Sequence, residues 1–416
     1  MRGNAVARAA KPGATRPRRA TASRPLITRP RRAAATRRPT LVLPGIQGSS
    51  LENFYPLDPA TTWSALRVLE SRFVVPDFDA LALDGPADAD LATDVVMRAS
   101  ALLAAAYGPL VAGLRGRRNV PTYLFPYDWR YSNVAVARAL VRYVQQLQRK
   151  PIDGWDGVFD VVAHSMGGLA LRAFLAEWGA ATTDPLPIGR VVFIATPHLG
   201  SLDAVEALIS GEAALFGGRK EMRKLLRTFP SVYELLPRFD DAVVRGGAPL
   251  DIFDVHNWQD NVTAAREGPD DYGVLQSHLT SARNLLTALP QAQDVLPAER
   301  LLVIYGNNAD STAVQVKVGS PQGKPPNWYD FDHKLKGPGD DVVPVVSARL
   351  PGVAAVEIRS EDVSYFHPIQ HGLAALDLHA FLPALDEVAT IVGRFLDDKQ
   401  EIDLLPAGLP RARFRR

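Results

Sequence analysis

The sequence predicts a doubly wound α/β protein: a mostly parallel sheet with lid and cap insertions. Two observations carry this. Short β-branched runs recur at 41–43, 122–125, 158–163, 191–195, 301–305 and 354–358. They have the near-continuous apolarity of strands buried on both faces. Longer stretches of helical periodicity separate them, such as 134–148 and 166–178, the second expected to stop at Gly179. Strand alternating with helix over this length makes a sheet covered on both sides, and such sheets bind ligands at the carboxyl ends of their strands. With 47% hydrophobic and 22% charged residues over 416 positions, wholesale disorder and fibrous repeats are excluded.

Residues 1–40 hold eleven Arg and one Lys and no acid, whereas 41–410 carry 31 basic against 45 acidic residues. Self-repulsion and the lack of large apolar side chains predict a disordered tail over 1–40. An anionic-surface tether and a transit peptide are the alternatives for that tail. The pairs Arg18-Arg19, Arg31-Arg32 and Arg37-Arg38 do not make a twin-arginine export signal, because no apolar stretch follows before the first strand at 41. A second basic tail is expected at 401–416, where Arg411, Arg413, Arg415 and Arg416 cluster. An acidic body between basic tails is not a nucleic-acid-binding domain, and no specific nucleic-acid partner is expected. The most apolar stretch, 101–114, is short and holds Tyr107, Gly108 and Pro109, so no membrane-spanning helix is expected. The expected location is cytoplasmic or peripheral to a membrane. The absence of cysteine excludes disulfides, thiolate metal sites and Cys nucleophiles. Between 41 and 400 the chain reads as one domain. Two excursions, a lid at about 53–95 and a cap at about 201–298, are too long for ordinary loops.

Ala163-His164-Ser165-Met166-Gly167 stands between a strand ending in Val161-Val162 and a helix opening on Gly167-Gly168. This is the strand–turn–helix nucleophile elbow, with Ala in place of the usual first Gly. The turn is tight enough that the positions two before and two after the serine must be small. It lifts Ser165 over the sheet edge, beside a helix N-terminus whose field favours a developing oxyanion.

A nucleophilic serine needs a base, and the base an orienter. In chain order the acid should follow Ser165 and the histidine should follow the acid. His198 precedes any plausible acid and reads as structural. Of the late histidines, His379 lies in helix-like sequence. His371 sits in a loop after the final strand and is the leading base, with His367 second. For the acid, Asp340 leads in Gly339-Asp340-Asp341-Val342-Val343-Pro344. Asp341 and Asp310 are alternatives, the latter because it follows closely on the strand that ends at Gly306. Met166 and Gln47, with Ile46 close behind, are the expected backbone donors of the oxyanion hole. No cofactor and no metal site are expected.

Five blocks in order resemble the lecithin:cholesterol acyltransferase family: 43–52, beginning Leu43-Pro44-Gly45; Pro126-Tyr127-Asp128-Trp129-Arg130; 163–168; 339–343; and Ile369-Gln370-His371. The similarity spans roughly 41–398. It implies an α/β-hydrolase fold, the triad Ser165, Asp340 and His371, and oxyanion donors at Gln47 and Met166. It further implies a serine-dependent O-acyltransferase or lipid acyl-ester hydrolase. The corresponding partner is a lipid or ester substrate, with a membrane surface as one place to meet it. A general esterase on small or polymeric esters is the second reading, and a non-catalytic hydrolase-fold binding scaffold the third. Asp128, Trp129 and Arg130 read as scaffold rather than chemistry.

Overall fold

The computed structural model of the chain describes residues 38–63, 81–83, 96–118, 120–150, 155–211, 222–263, 272–362, 378–399, 403–406, 409–410 and 413–415. Residues 1–37 of the expected tail, most of the expected lid, His367 and His371 lie outside the described residues. Arg38, also assigned to the tail, pairs with Asp156 at 3.1 Å, and Thr40 is already buried in the first strand.

Among the described residues the first elements are β1 (Thr40–Leu43), β2 (Ser49–Asn53), β3 (Ala60–Trp63) and β4 (Met97–Leu102). Helix α1 (Ala104–Arg118), β5 (Thr122–Leu124), α2 (Asn133–Gln148) and β6 (Phe159–His164) follow. Next come α3 (Gly167–Ala181), β7 (Ile188–Ile194) and α4 (Leu202–Ile209). The hairpin strands β8 (Val243–Arg245) and β9 (Ala248–Pro249) lead to α5 (Tyr272–Ala288) and β10 (Leu301–Gly306). Then stand β11 (Asn308–Gly319), β12 (Trp328–Tyr329), β13 (Leu335–Gly339) and β14 (Ala354–Ile358). Helices α6 (Leu378–Phe381) and α7 (Asp386–Leu396) precede β15 (Phe414–Arg415).

The central sheet runs β15-β14-β10-β7-β6-β1-β5. All neighbours are parallel except β15, which is antiparallel to β14. Its six parallel strands are the six apolar runs read from the sequence. Successive residues point to opposite faces, and the core divides accordingly. Leu41, Val161, Val191 and Val303 join the core that holds α2 and α3. Val42, Val162, Val192 and Ile304 join the core that holds Leu110 and Leu114 of α1 and Val388 and Ile391 of α7. Both faces are covered, which is why the runs read as continuous rather than alternating.

Helix α2 opens on Ser132, whose side chain accepts from the Val134 N–H and caps the helix. Helix α3 does not stop at Gly179 but continues to Ala181. A glycine inside a helix costs only about 1 kcal/mol, less than the packing along α3 supplies. Strands β3-β2-β4 form a small antiparallel sheet directly after the first turn. The β8–β9 hairpin, within the stretch expected as a cap, joins β11 and β12 in a second sheet, with β13 paired to β11. No helix among the described residues is long and apolar enough to cross a membrane.

The end of the chain differs from a solvated basic tail. Phe414 and Arg415 pair with Val356 and Ala355 at the sheet edge. Glu357, 1% exposed, accepts Arg413 Nη1 and Arg415 Nη2, each at 3.1 Å. Burial alone would raise its pKa, but hydrogen bonds from Asn307, Arg413 and Arg415 outweigh it and hold the carboxyl below its ordinary value. The arginines read as tail because the acid that pairs with them is more than fifty residues away in the sequence.

Candidate active site

Strand β6 delivers its last residue, His164, to the sheet's carboxyl edge, and the chain reverses at once into α3. The reversal forces Ser165 to φ 53°, a left-handed conformation that costs a non-glycine residue about 1–3 kcal/mol. The Ser165 N–H bonds the Ile194 carbonyl at 2.8 Å, and the Ser165 carbonyl accepts the Gly168 N–H at 2.9 Å. Three glycines make the close approach possible. A Cβ on Gly167 would lie 2.4 Å from the Pro44 carbonyl oxygen, one on Gly168 2.1 Å from Thr196 Oγ1, and one on Gly45 2.7 Å from Ser165 Cβ. The first turn is therefore pressed against Ser165 itself. Gly45→Ala should destabilise the fold by about 1–3 kcal/mol through overpacking. Urea unfolding of the variant measures the loss.

Ser165 is 3% exposed, buried rather than open to solvent. Its Oγ is 2.8 Å from His379 Nε2, and His379 Nδ1 is 2.9 Å from Asp340 Oδ2. The histidine that meets Ser165 is thus His379, which the sequence reading set aside as helical; His371 lies outside the described residues. Helix α6 is only four residues long, and His379 stands in its first turn, so a helical address does not turn the ring away. The signal available in the sequence was order alone: His379 follows the acid as His371 does.

Asp340 reaches the site through the ribbon of β11 and β13. Asn308 pairs with Gly339, which returns the chain to the end of β10, and a Cβ on Gly306 would meet Asp340 Cβ at 2.4 Å. Oδ1 accepts the N–H groups of Val342 at 3.2 Å and Val343 at 2.6 Å, leaving Oδ2 for the imidazole. Asp341 serves the same loop differently: its Oδ2 accepts the Leu378 N–H at 3.1 Å and anchors the start of α6. Burial raises the Asp341 pKa, with the Leu378 bond opposing. Asp310 is exposed on β11.

Gln47 has φ 59°, and together with Ile46, Gly48, Tyr107 and Ser165 it lines a cavity of about 80 Å³. Among the described residues no acceptor meets the backbone N–H of Gln47 or of Met166. Behind this turn stands the Pro126–Arg130 string. Tyr127 Oη donates to the Pro44 carbonyl at 2.8 Å and Trp129 Nε1 to the Ser49 carbonyl at 3.0 Å. Asp128 and Arg130 pair with each other at 2.5 Å. These residues brace the turn.

His198 is buried edge-on against Phe193, with ring centroids 5.0 Å apart. Its carbonyl accepts Arg172 Nη1 and Arg238 Nη2. Burial, reinforced by the Arg172 charge, holds its pKa well below the ordinary value, so it is a neutral packing residue.

Residues 112–269 match the model of the family described as lecithin:cholesterol acyltransferase. No curated protein matches the sequence. Among solved structures, a chain of the Tle4-Tli4 complex is similar at 14% identity and a TM-score of 0.55, over 87% of this chain and 99% of that one. The Staphylococcus hyicus lipase aligns at 13% identity and a TM-score of 0.34, over 88% of this chain and 97% of the lipase. The mature Bacillus licheniformis lipase BlEst2 aligns at 13% and 0.31, over 78% and 84%. With the elbow at the end of β6, the sheet order and the first of these likenesses, the fold is that of the α/β-hydrolases.

Proposed function

We propose that the protein is a serine-dependent lipid acyl-ester hydrolase or O-acyltransferase working through an acyl-enzyme. The observation that carries this reading is the unbroken chain Ser165 Oγ–His379 Nε2–His379 Nδ1–Asp340 Oδ2, at 2.8 and 2.9 Å. The family match over 112–269 supports the lipid acyl substrate class. Ser165 Oγ attacks the ester carbonyl and its proton passes to His379 Nε2, while Asp340 holds the Nδ1 proton and stabilises the imidazolium. The carbonyl π pair moves to oxygen, where the N–H groups of Gln47 and Met166 are the donors. The intermediate collapses, the leaving alcohol takes the proton from His379, and Ser165 keeps the acyl group. Water or a second alcohol then enters by the same steps in reverse, giving a fatty acid or a new ester. Transfer competes with water at about 55 M only if the alcohol is held in place, and positioned reactants reach about 10⁵–10⁸ M.

A labelled acyl donor followed with and without long-chain alcohols and sterols tests the balance. A new ester with a matching fall in free acid marks a transferase; free acid alone marks a hydrolase. The small cavity at Ser165 gives weight to the second reading, an esterase on short esters. A chain-length series decides it: activity confined to acetyl and butyryl esters overturns the lipid assignment.

The turn between β2 and β3 carries Phe54, Tyr55 and Leu57 in the open, at 41%, 86% and 100% exposure. On the lipid reading these side chains enter the bilayer interface. Replacing all three by Ser should lower turnover of vesicle-borne substrate by about tenfold or more, as about 1.4 kcal/mol of lost partitioning implies. A soluble short-chain ester should be cleaved as before.

A further inference from the structure

Two buried groups beside the triad have no part in the steps above. His164, the residue before the nucleophile, is 4% exposed, and Tyr107 of α1 is 3% exposed. They are bonded to one another and to both sides of the site. The Tyr107 hydroxyl lies 2.8 Å from His164 Nδ1, and His164 Nε2 lies 3.0 Å from the carbonyl oxygen of His379. The Gly45 N–H donates to the Tyr107 oxygen at 2.8 Å.

The acceptors dictate where the protons sit. A carbonyl only accepts, so His164 carries its proton on Nε2. Its Nδ1 is then an acceptor, so the Tyr107 hydroxyl donates to it, and the Tyr107 oxygen takes the Gly45 N–H. Every donor in the chain meets an acceptor. Burial, and after it the positive charge His379 carries when protonated, push the His164 pKa down to about 3. The ring is a neutral, fixed link.

We propose that Tyr107 and His164 form a positioning relay that ties the first turn to the catalytic base through the His379 carbonyl. The proposal rests on the Ser165–His379 reading of the site. Helix α6 spans four residues, too few to be stiff by itself, so the base is held from outside. Its N–H bonds the Asp340 carbonyl at 3.1 Å, its Nδ1 bonds the Asp340 carboxylate, and its carbonyl takes His164. The other end of the relay is Gly45, two residues before Gln47. One hydrogen-bonded chain thereby sets the spacing between the oxyanion donors and the base, which stand on opposite sides of the reacting carbonyl. Catalysis requires that spacing within about 0.5 Å.

The test compares the full-length protein with Tyr107→Phe, His164→Gln and His164→Leu on a soluble ester, and by the rate at which a fluorophosphonate labels Ser165. Glutamine can present an amide N–H to the His379 carbonyl; leucine cannot. In Tyr107→Phe, kcat and the labelling rate should each fall about tenfold, the loss of one hydrogen bond in the transition state, with KM unchanged. His164→Gln should keep at least about fivefold more kcat than His164→Leu, a difference a purely packing role does not produce. Wild-type labelling and kcat in Tyr107→Phe overturn the relay alone. So do equal losses in the Gln and Leu variants when both melt with the wild type. A wild-type protein that the probe does not label at Ser165 overturns the serine reading, and the relay with it.

Discussion

His379→Ala should abolish ester cleavage as completely as Ser165→Ala, with each variant about 10⁶-fold down in kcat, because members of such a triad act as a unit. The expectation follows from the 2.8 Å contact between Ser165 Oγ and His379 Nε2. Without the ring, the serine proton has no acceptor and Asp340 is left with nothing to orient. Asp340→Asn should be milder but still large, near 10⁴-fold, because an amide at this position favours the wrong tautomer of the base. Asp310→Asn should leave kcat within about twofold, since its carboxylate is exposed on β11; a twofold change corresponds to well under 1 kcal/mol. His371→Ala is the informative contrast, because sequence order and family resemblance both point to it. Steady-state rates of the two histidine variants on one ester separate the assignments. A crippled His371→Ala beside an active His379→Ala would return the base to His371.

Arg130→Met should be the most destabilising single change outside the two sheet cores. Arg130 is 1% exposed and Asp128 5%. The pair is joined by three side-chain contacts, Nε to both carboxylate oxygens and Nη2 to Oδ2. Arg130 Nη1 also donates to the Leu81 carbonyl at 2.9 Å. Methionine keeps the aliphatic stem of the side chain but leaves a buried carboxylate without its counter-ion, which costs about 3–5 kcal/mol. Removing both charges, as Asp128→Leu with Arg130→Met, should recover much of that loss, because the desolvation of the ion pair disappears with the pair. Urea unfolding of the single and double variants measures both. A single variant that loses less than about 1 kcal/mol would mean that water reaches Asp128, contrary to its burial.

The six parallel strands were readable because burial on both faces demands apolar residues at every position, a pattern few other structures share. The elbow was readable because sterics dictate its residues: Gly167 faces the Pro44 carbonyl and Gly168 faces Thr196. The tight loop around Asp340 was readable, and its N–H groups at Val342 and Val343 hold one carboxylate oxygen. The histidine partner was not. Leu378, Phe381 and Leu382 around His379 are core residues, so the segment reads as a packed helix, and nothing local says that it lasts four residues and turns one ring toward Ser165. Tyr107 and His164 escaped for a related reason, since a residue whose role is to bond another residue's carbonyl carries no motif. The strand at 414–415 is too short and too cationic to read as part of a sheet; its place is decided by Glu357.

That last strand bears on how the protein is made. Strands β1 through β14 are synthesised before residues 413–415, so until those residues are made β14 stands as an open sheet edge with a carboxylate buried behind it. Unpaired edges recruit other chains, and a buried charge without its counter-ion weakens whatever has already folded. A nascent chain that stalls before residue 413 is therefore poorly protected against self-association. A tag spliced in ahead of Arg413 creates the same exposure in every molecule.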